Sequence, residues 1–414
     1  MRIALVSPYS WTYPGGVRAH VDALAGELLA AGHEARILTP YDAHDARSAR
    51  RHRGVWPQAR EIPPHVRPLG ATVGLPANGA VSNLALSPAA VFRLREELRV
   101  GAFDVVHVHE PIAPVISWDA LGVARAPLVG TFHTYSTNTL TNTLGNLAGA
   151  RRRMQRLRVR IAVSRAAQWT GIRYFGGSYR VIPNGVAVPE RIERPPPVAP
   201  SEERPLRLAF VGQAVERKGL PLALRAFAAL RERIPATFDV VGPGPEQLAP
   251  FGVDLRGVRA HGRVDDEART AVLAGADLLV APSLGGESFG MVLTEAFAVG
   301  TPVVASRIAG YRDVVGDGVE GVLFARGDAA ELERVLLELA ADAGRRARMS
   351  AAAAERARQY AWPRVAAQVL EAYADAIAMP APEGPLGGAA VRLGMRSAAG
   401  GPRRAAQRRL PSLE

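Results

Sequence analysis

The chain of 414 residues contains no cysteine, and lysine occurs at a single position, Lys218. Without cysteine there can be no disulfide bond and no thiolate chemistry, which suits a reducing cytoplasm. No apolar run approaches the ~18–20 residues that a membrane-spanning helix requires. The apolar stretch at 3–6 is too short for the core of a signal peptide, so we expect it to form a first β-strand.

Positive charge is in excess, with a net charge of +12. All basic residues other than Lys218 are arginine, so the lone lysine is unusual in this background. An excess of this size favours an anionic partner, such as a nucleotide, a nucleic acid or the anionic face of a membrane. A basic surface that is merely solvated explains the charge equally well.

Apolar, strand-like runs alternate with helical stretches in the first half of the chain, and the same pattern repeats in the second half. The predicted strands are 3–6, 35–38, 105–109, 128–130, 161–163 and 179–182 in the first half, and 206–211, 238–241, 278–281, 302–305 and 321–324 in the second half. Strands that alternate with helices form parallel sheets with right-handed crossovers. The predicted fold class is therefore α/β, with two Rossmann-like domains whose parallel sheets face each other across a cleft.

Changes in composition divide the chain further. We predict an N-terminal domain at 1–190, a Pro-rich linker at 191–205 and a second Rossmann-like domain at 206–361. A helix at 362–379 is expected to close the second domain. The remaining residues, 380–414, are rich in Gly, Pro, Ala and Arg and show no helical or strand period, so we expect a disordered basic tail. Ligands of such folds bind at the carboxyl edges of the strands, in the cleft.

Two glycine-containing turns follow the first predicted strand of each half. In the first, the paired glycines of Pro14-Gly15-Gly16-Val17 precede a helix, whose N-terminus favours phosphate, although a tight turn alone accounts for the pattern. In the second, the segment 211–219 ends in Arg217-Lys218-Gly219 before another helix. A lysine at that edge can reach a diphosphate as a point charge, so we interpret Lys218 as functional.

The most informative segment is Gly285-Gly286-Glu287-Ser288-Phe289-Gly290, which continues through 291–296 into a helix that carries Glu295. It follows the predicted strand at 278–281. Two carboxylates spaced in this way can accept hydrogen bonds from sugar and ribose hydroxyls. The free N–H groups of the turn can receive phosphate oxygens.

In this order, these elements resemble glycosyltransferase family 4, with the GT-B fold, over roughly 1–378. Within that family the chain is similar to phosphatidylinositol mannosyltransferases. Further matching segments are 107–111, 131–134, 161–164, 182–186, 217–219 and 264–266. The resemblance implies a retaining, metal-independent enzyme that transfers mannose from GDP-mannose to a lipid-linked acceptor. It is expected in the cytoplasm, either free or bound peripherally to the inner face of the plasma membrane. No cofactor and no metal is expected.

The resemblance also implies roles for single residues. Lys218 neutralises the departing diphosphate, Glu287 holds the donor sugar, and His133 lies beside the reacting sugar; these three are the predicted catalytic residues. The predicted donor-binding residues are Gly16, Gln213, Arg217, Lys218, Val264, Asp266, Arg269, Glu287, Ser288, Phe289, Gly290 and Glu295, of which Glu295 holds the ribose. The predicted acceptor-binding residues are Tyr9, Arg18, Asn78, His109 and Asn138.

The chain departs from the family pattern at several of these positions. Gln213 stands where the family has an arginine that contacts the diphosphate, and an amide donates hydrogen bonds without supplying charge. In the predicted acceptor region, Ala77 replaces an aromatic residue and Asn138 replaces a lysine, whereas Arg18 is an added charge. A UDP-sugar donor and a soluble or different glycolipid acceptor therefore remain the alternative.

Two other classes of protein are compatible with single features. His107 and His109 lie two apart on a strand and, with His133, could form the metal site of a hydrolase, although the apolar strand suits core histidines. The six arginines within 151–160 could bind nucleic acid, but no aromatic residue accompanies them as a stacking platform. The same segment could contact anionic lipid or form a solvated helix.

Overall fold

The computed structural model describes residues 1–77, 80–191, 194–382, 384–401, 404–407 and 410–413. The chain divides into two compact domains. The first combines Met1–Gly185 with Trp362–Leu413, and the second comprises Val186–Ala361. Each domain is built on one parallel sheet, which confirms the predicted α/β class with two Rossmann-like domains.

The sheet of the first domain has seven parallel strands in the order β3-β2-β1-β6-β7-β8-β9. An antiparallel hairpin, β4–β5, lies outside it. The strands are β1 (Arg2–Val6), β2 (Glu34–Thr39), β3 (Val66–Pro68), β4 (Val73–Ala77), β5 (Ala80–Leu84), β6 (Val105–His109), β7 (Leu128–Phe132), β8 (Val159–Ala162) and β9 (Arg180–Val181). The central strands β6 and β7 are buried throughout, as continuous apolar runs in parallel sheets usually are.

The helices between these strands cover both faces of the sheet. They are α1 (Gly16–Ala30), α2 (Ala46–Arg51), α3 (Pro88–Val100), α4 (Ile116–Val123), α5 (Thr139–Leu147), α6 (Ala150–Arg153) and α7 (Arg165–Thr170). The helical segment between β7 and β8 is divided into α5 and α6. Gly149 between them has a φ of 91°, a left-handed conformation that ends one helix and redirects the chain.

The second domain has a six-stranded parallel sheet in the order β12-β11-β10-β13-β14-β15. Its strands are β10 (Leu206–Val211), β11 (Ala236–Val241), β12 (Val258–Gly262), β13 (Leu278–Ala281), β14 (Val303–Ser306) and β15 (Gly321–Phe324). Its helices are α8 (Leu220–Arg231), α9 (Pro245–Leu248), α10 (Asp266–Gly275), α11 (Met291–Ala298), α12 (Ala309–Arg312), α13 (Ala329–Ala341) and α14 (Ala343–Ala357). The sequence pattern missed β12, because its residues are half-exposed and lack an apolar run.

The helix predicted at 362–379 exists as α15 (Trp362–Ala378), but it does not close the second domain. Its buried residues, including Val365, Val369 and Tyr373, belong to the apolar core of the first domain. The Tyr373 hydroxyl lies 2.8 Å from His107 Nδ1 on β6. The chain therefore returns to the first domain, which sequence order alone cannot reveal.

The described part of 380–414 differs from the predicted disorder. It contains a helix, α16 (Gly384–Arg392), and the residues after it hydrogen-bond to the first domain. The Arg404 N–H donates to Gln155 Oε1 at 3.0 Å, and Trp169 Nε1 donates to the Pro411 carbonyl at 2.7 Å. Satisfied backbone groups and buried Ala398 order a segment that has no periodic pattern.

The arginines within 151–160 are only partly a surface cluster. Arg156 donates to the carbonyls of residues 121, 122 and 124 at the end of α4, and Arg158 donates to those of residues 376 and 379 at the end of α15. Arg160 is buried and bonds the Gly176 and Met154 carbonyls. The guanidinium groups of these three arginines donate hydrogen bonds to backbone carbonyls within the first domain, and of the three only Arg160 is fully buried. In the described part of the chain, no helix is both long and apolar enough to cross a bilayer.

Candidate active site

The turn after β10 presents the only lysine of the chain. It is fixed to the loop after β13, because the Leu284 N–H donates to the Arg217 carbonyl at 2.7 Å. Gly219 closes the turn with a φ of 68°, and a Cβ at this position would lie 1.9 Å from the Pro282 carbonyl oxygen. Only glycine fits this close approach, which holds Lys218 beside the glycine-rich loop at 285–290.

Glu287 lies in that loop, between two cations. Lys218 Nζ is 2.8 Å from Glu287 Oε1, and the Arg217 guanidinium bonds the same oxygen. Burial by itself would raise the pKa of Glu287, but the charges of Lys218 and Arg217 outweigh it and hold the pKa below its usual value. The carboxylate is therefore ionised, and it orients both cations.

The backbone around Glu287 is shaped by close packing. Gly290 has a φ of 82°, and a Cβ there would lie 2.4 Å from the Tyr311 ring. The Tyr311 hydroxyl is 2.8 Å from the Ser283 hydroxyl, which pins the loop at the end of β13. Phe289 is buried and contacts Tyr360 edge to face. Ser288, between the two, is half-buried, and the loop leads directly into the N-terminus of α11.

The second carboxylate of the predicted motif, Glu295 on α11, pairs with Arg269 of α10 at 3.2 Å. Arg269 also contacts Asp266 at 3.1 Å. Burial raises the pKa of Glu295, and the charge of Arg269 opposes that shift. Of the remaining predicted donor residues, Gln213 is exposed after β10 and Val264 is half-buried before α10. The second domain thus contains two groups of paired acids and bases on the side of the sheet where β10 and β13 end. One joins Glu287 to Arg217 and Lys218, and the other joins Glu295 to Arg269.

In the first domain, the predicted residues of the glycine turn lie at the start of α1. Gly16 is exposed as the first residue of this helix. Arg18 pairs with Asp22 one turn later at 3.3 Å, and its guanidinium lies 5.9 Å from the centre of the Trp11 ring. Arg18 is therefore held in an ion pair on α1, and its predicted role in acceptor binding stays a prediction.

A buried polar cluster occupies the carboxyl ends of β6 and β7. His109 Nδ1 lies 3.1 Å from His133 Nε2. Burial lowers the pKa of both imidazoles, and neighbouring histidines lower it further, so both rings are neutral at neutral pH. Tyr9 lies near this cluster, and its pKa is raised by burial and then by the charge of Glu110. The predicted residues His109, His133 and Tyr9 are thus brought together.

The predicted acceptor residue Asn138 is not part of this cluster. Asn138 is exposed and caps α5, where its side chain accepts the Thr141 N–H at 3.0 Å. This capping role accounts for an asparagine at the position. Asn78 lies outside the described residues. His107 is a core residue, with Nδ1 near the Tyr373 hydroxyl and Nε2 2.7 Å from the Thr131 hydroxyl.

Three residues of the same region were not among the predicted site residues. His20 on α1 packs against the rings of His133 and Trp362, and Asn184 interacts with it. Glu110 follows β6 with a φ of 48°, a strained conformation for a non-glycine residue. Its Oε2 accepts hydrogen bonds from the His133 N–H and the Thr134 hydroxyl. The sequence indicates His20 only through its position, because it lies four residues, or about one helical turn, after Gly16 of the glycine motif.

Burial raises the pKa of Glu110 from 4.5 to about 7, against two hydrogen bonds that lower it. A raised pKa in the folded state stabilises the fold below the unfolded pKa of ~4.3, and this contribution is lost as pH rises through about 7. Glu110→Gln stays neutral and should gain stability relative to wild type between pH ~4.5 and ~8, by up to about 3 kcal/mol.

Thermal and urea unfolding at several pH values measure this difference. Glu96→Gln, on an exposed part of α3, is the matched control and should show no such trend. A constant stability difference between Glu110→Gln and wild type across this range would contradict a buried, protonatable Glu110.

Two family models of glycosyltransferases match the chain, one on each domain. The model of Glycosyltransferase Family 4 matches residues 14–188, and that of Glycosyl transferases group 1 matches residues 205–342. The chain is 38% identical over 382 residues to a phosphatidyl-myo-inositol mannosyltransferase of Mycobacterium leprae, which covers 90% of this chain and 96% of the relative. It is 29% identical over 399 residues to a D-inositol 3-phosphate glycosyltransferase of Xylanimonas cellulosilytica, with 87% and 92% covered.

Solved structures share the fold at lower identity. HepE of Anabaena, in complex with UDP-glucose, is 22% identical with a TM-score of 0.67 and covers 90% of this chain and 99% of its own. A sucrose-phosphate synthase from Thermosynechococcus elongatus is 20% identical with a TM-score of 0.69 and covers 92% and 100%. With family models on both domains and close relatives over nearly the whole chain, the protein is a glycosyltransferase that belongs to glycosyltransferase family 4.

Proposed function

We propose that the protein transfers mannose from GDP-mannose to phosphatidylinositol or a closely related lipid-linked inositol. The observation that carries this proposal is the 38% identity to phosphatidyl-myo-inositol mannosyltransferases over 90% of the chain. In this proposal the second domain binds the donor and the first domain binds the acceptor.

The donor diphosphate is proposed to bind at the turn after β10. Lys218 and Arg217 are there oriented by one buried carboxylate, so their charges are fixed before the substrate arrives. Fixed charges stabilise a developing anion without the cost of reorganisation, which makes such groups effective for a departing diphosphate. Arg217 next to Lys218 compensates for the neutral Gln213.

The donor sugar and ribose would be held by carboxylates. Each oxygen of Glu287 and Glu295 accepts hydrogen bonds, and hydroxyl groups of a nucleotide sugar can share these oxygens with the arginine and lysine donors. Because Lys218, Arg217 and the N-terminus of α11 would all face the diphosphate with positive charge, the reaction is proposed to proceed without a metal ion.

The transfer is also proposed to retain the anomeric configuration of the donor sugar. In the first domain, the His133 backbone N–H donates to Glu110, whose pKa of about 7 would let its carboxyl group take up or release a proton as the acceptor hydroxyl reacts. Tyr9 and His109 are proposed to contribute polar groups to the same acceptor region.

The direct test is a transfer assay with purified protein, labelled nucleotide sugars and EDTA. We expect mannose to pass from GDP-mannose to phosphatidylinositol as an α-mannoside, at a rate that EDTA does not reduce. Transfer from UDP-glucose or UDP-N-acetylglucosamine alone, or to a soluble inositol phosphate alone, would support the alternative family function. Loss of activity in EDTA with rescue by Mn²⁺ would contradict metal independence.

A lipid-linked acceptor requires access to a bilayer, and one face of α5 is suited to it. Leu140, Leu144 and Leu147 are 70%, 56% and 79% exposed, and their spacing places them on one side of the helix. The helix begins six residues after His133, and Arg152 on α6 is exposed beside it. Gly394, after α16, packs against Arg152 and brings the exposed Leu393 and Met395 close to this region.

Replacing Leu140, Leu144 and Leu147 together by serine should reduce binding to vesicles that contain phosphatidylinositol on the order of tenfold or more, because three apolar side chains are lost from the bilayer contact. Co-sedimentation at low and high salt measures this. The control is the double variant Phe92→Ser/Val100→Ser, which removes two exposed apolar residues from α3. Equal binding by the leucine variant and wild type would contradict a membrane role for α5.

A further inference from the structure

Three buried histidines from three separate elements meet in the first domain. His20 lies on α1, His109 ends β6 and His133 follows β7, and their side chains are 3%, 0% and 9% exposed. One imidazole nitrogen of each lies within 4.8 Å of the corresponding nitrogens of the other two. Neither the family resemblance nor the reaction proposed above uses them as a group.

The distances between the ring centres are close to those expected around a shared metal ion. An ion about 2.05 Å from three imidazole nitrogens in tetrahedral geometry places the ring centres about 5.2 Å apart and the nitrogens about 3.3 Å apart. The observed distances between ring centres are 4.9 Å for His20–His133, 5.4 Å for His20–His109 and 5.4 Å for His109–His133. His109 Nδ1 and His133 Nε2 are 3.1 Å apart.

The histidines also retain unused nitrogen atoms. His20 Nδ1 and His109 Nε2 are buried and have no hydrogen-bond partner among the described residues. Buried polar atoms of native proteins are normally paired, so the unpaired His20 Nδ1 in this cluster points to a ligand. His109 Nε2 is not counted, because its ring already faces His133 through Nδ1 and supplies only one nitrogen to a shared ion. His107, the neighbour on β6, differs because both of its nitrogens lie within hydrogen-bonding distance of hydroxyl groups.

We propose that His20, His109 and His133 bind one divalent transition-metal ion, with Zn²⁺ as the best-suited ion, and that the bound ion inhibits the enzyme. Three imidazoles with an open fourth position are a common zinc ligand set, and imidazole nitrogen favours zinc, copper and nickel over magnesium or calcium. The site is additional to the transfer reaction and is not required by it.

The two halves of this proposal have different foundations. Metal binding rests on the geometry of the three rings alone. Inhibition rests also on the proposed function, because it follows from the placement of His133 beside the reacting sugar. An ion that holds the His133 ring and fills the space in front of it would prevent that ring from serving the acceptor.

Binding is measured on the full chain by titration with Zn²⁺ in a chelator buffer and by the visible absorption of Co²⁺ as a probe. We expect one ion per chain, a tetrahedral Co²⁺ spectrum and displacement of Co²⁺ by Zn²⁺. His20→Gln and His109→Gln should each weaken binding on the order of 10-fold to 100-fold or more. His33→Gln, which removes a histidine outside the cluster, should bind as wild type does.

X-ray absorption of the wild-type zinc complex keeps the test independent of how the variants fold, and it should count three imidazole ligands. Absence of stoichiometric binding, fewer than three imidazoles, or equal affinity in folded His20→Gln would overturn the site. Stoichiometric binding without loss of transferase activity would overturn only the inhibition. Failure of the chain to transfer sugar under any condition would leave the binding result standing and would reject the proposed function instead.

Discussion

The predicted donor region of the second domain is organised by one interaction, the contact of the largely buried Glu287 carboxylate with two cations from the turn after β10. A carboxylate buried alone would lose its charge, and two adjacent cations without it would repel each other. Together they form a compact group whose geometry is set by the backbone, through Gly219 against Pro282 and the Leu284 N–H on Arg217. The group leaves a net positive charge at the carboxyl edge of the sheet, where α/β proteins bind their ligands.

The first domain also contains titratable side chains at the ends of its strands, but these side chains are mainly neutral. Its polar residues at the ends of β6 and β7 are buried, and burial keeps the imidazoles uncharged and favours a protonated Glu110 at acidic to neutral pH. Of these groups, Glu110 has a pKa raised to about 7 and can therefore exchange a proton near physiological pH, whereas the ionised group of the second domain cannot. The two domains thus supply different chemistry, fixed charge in one and proton exchange in the other.

Much of this arrangement was predictable from the sequence. Strands buried on both faces produce continuous apolar runs, so β6, β10, β13 and β15 were predicted with the bounds that the structure gives. Lys218 and Glu287 were identified because a lone lysine and a carboxylate in a glycine-rich turn are unusual at strand ends. Their contact at 2.8 Å is the structural counterpart of two motifs 69 residues apart.

Other features depend on contacts between distant segments and have no local signature. Tyr373 reaches His107 only because α15 returns to the first domain, and the inward direction of Arg160 is set by carbonyl groups that surround it. His20 looks like an ordinary helical residue until β6 and β7 place two more histidines beside it.

The central claim is that Lys218, oriented by Glu287, stabilises the departing diphosphate of the donor. The most direct measurement is the turnover number of Lys218→Ala with saturating donor and acceptor, compared with Arg225→Ala, which removes a positive charge from an exposed position of α8 in the same domain. Loss of one preorganised electrostatic group should lower turnover on the order of 10²-fold or more, while Arg225→Ala stays near wild type. Near-normal turnover by Lys218→Ala would contradict the account and remove this lysine from the mechanism.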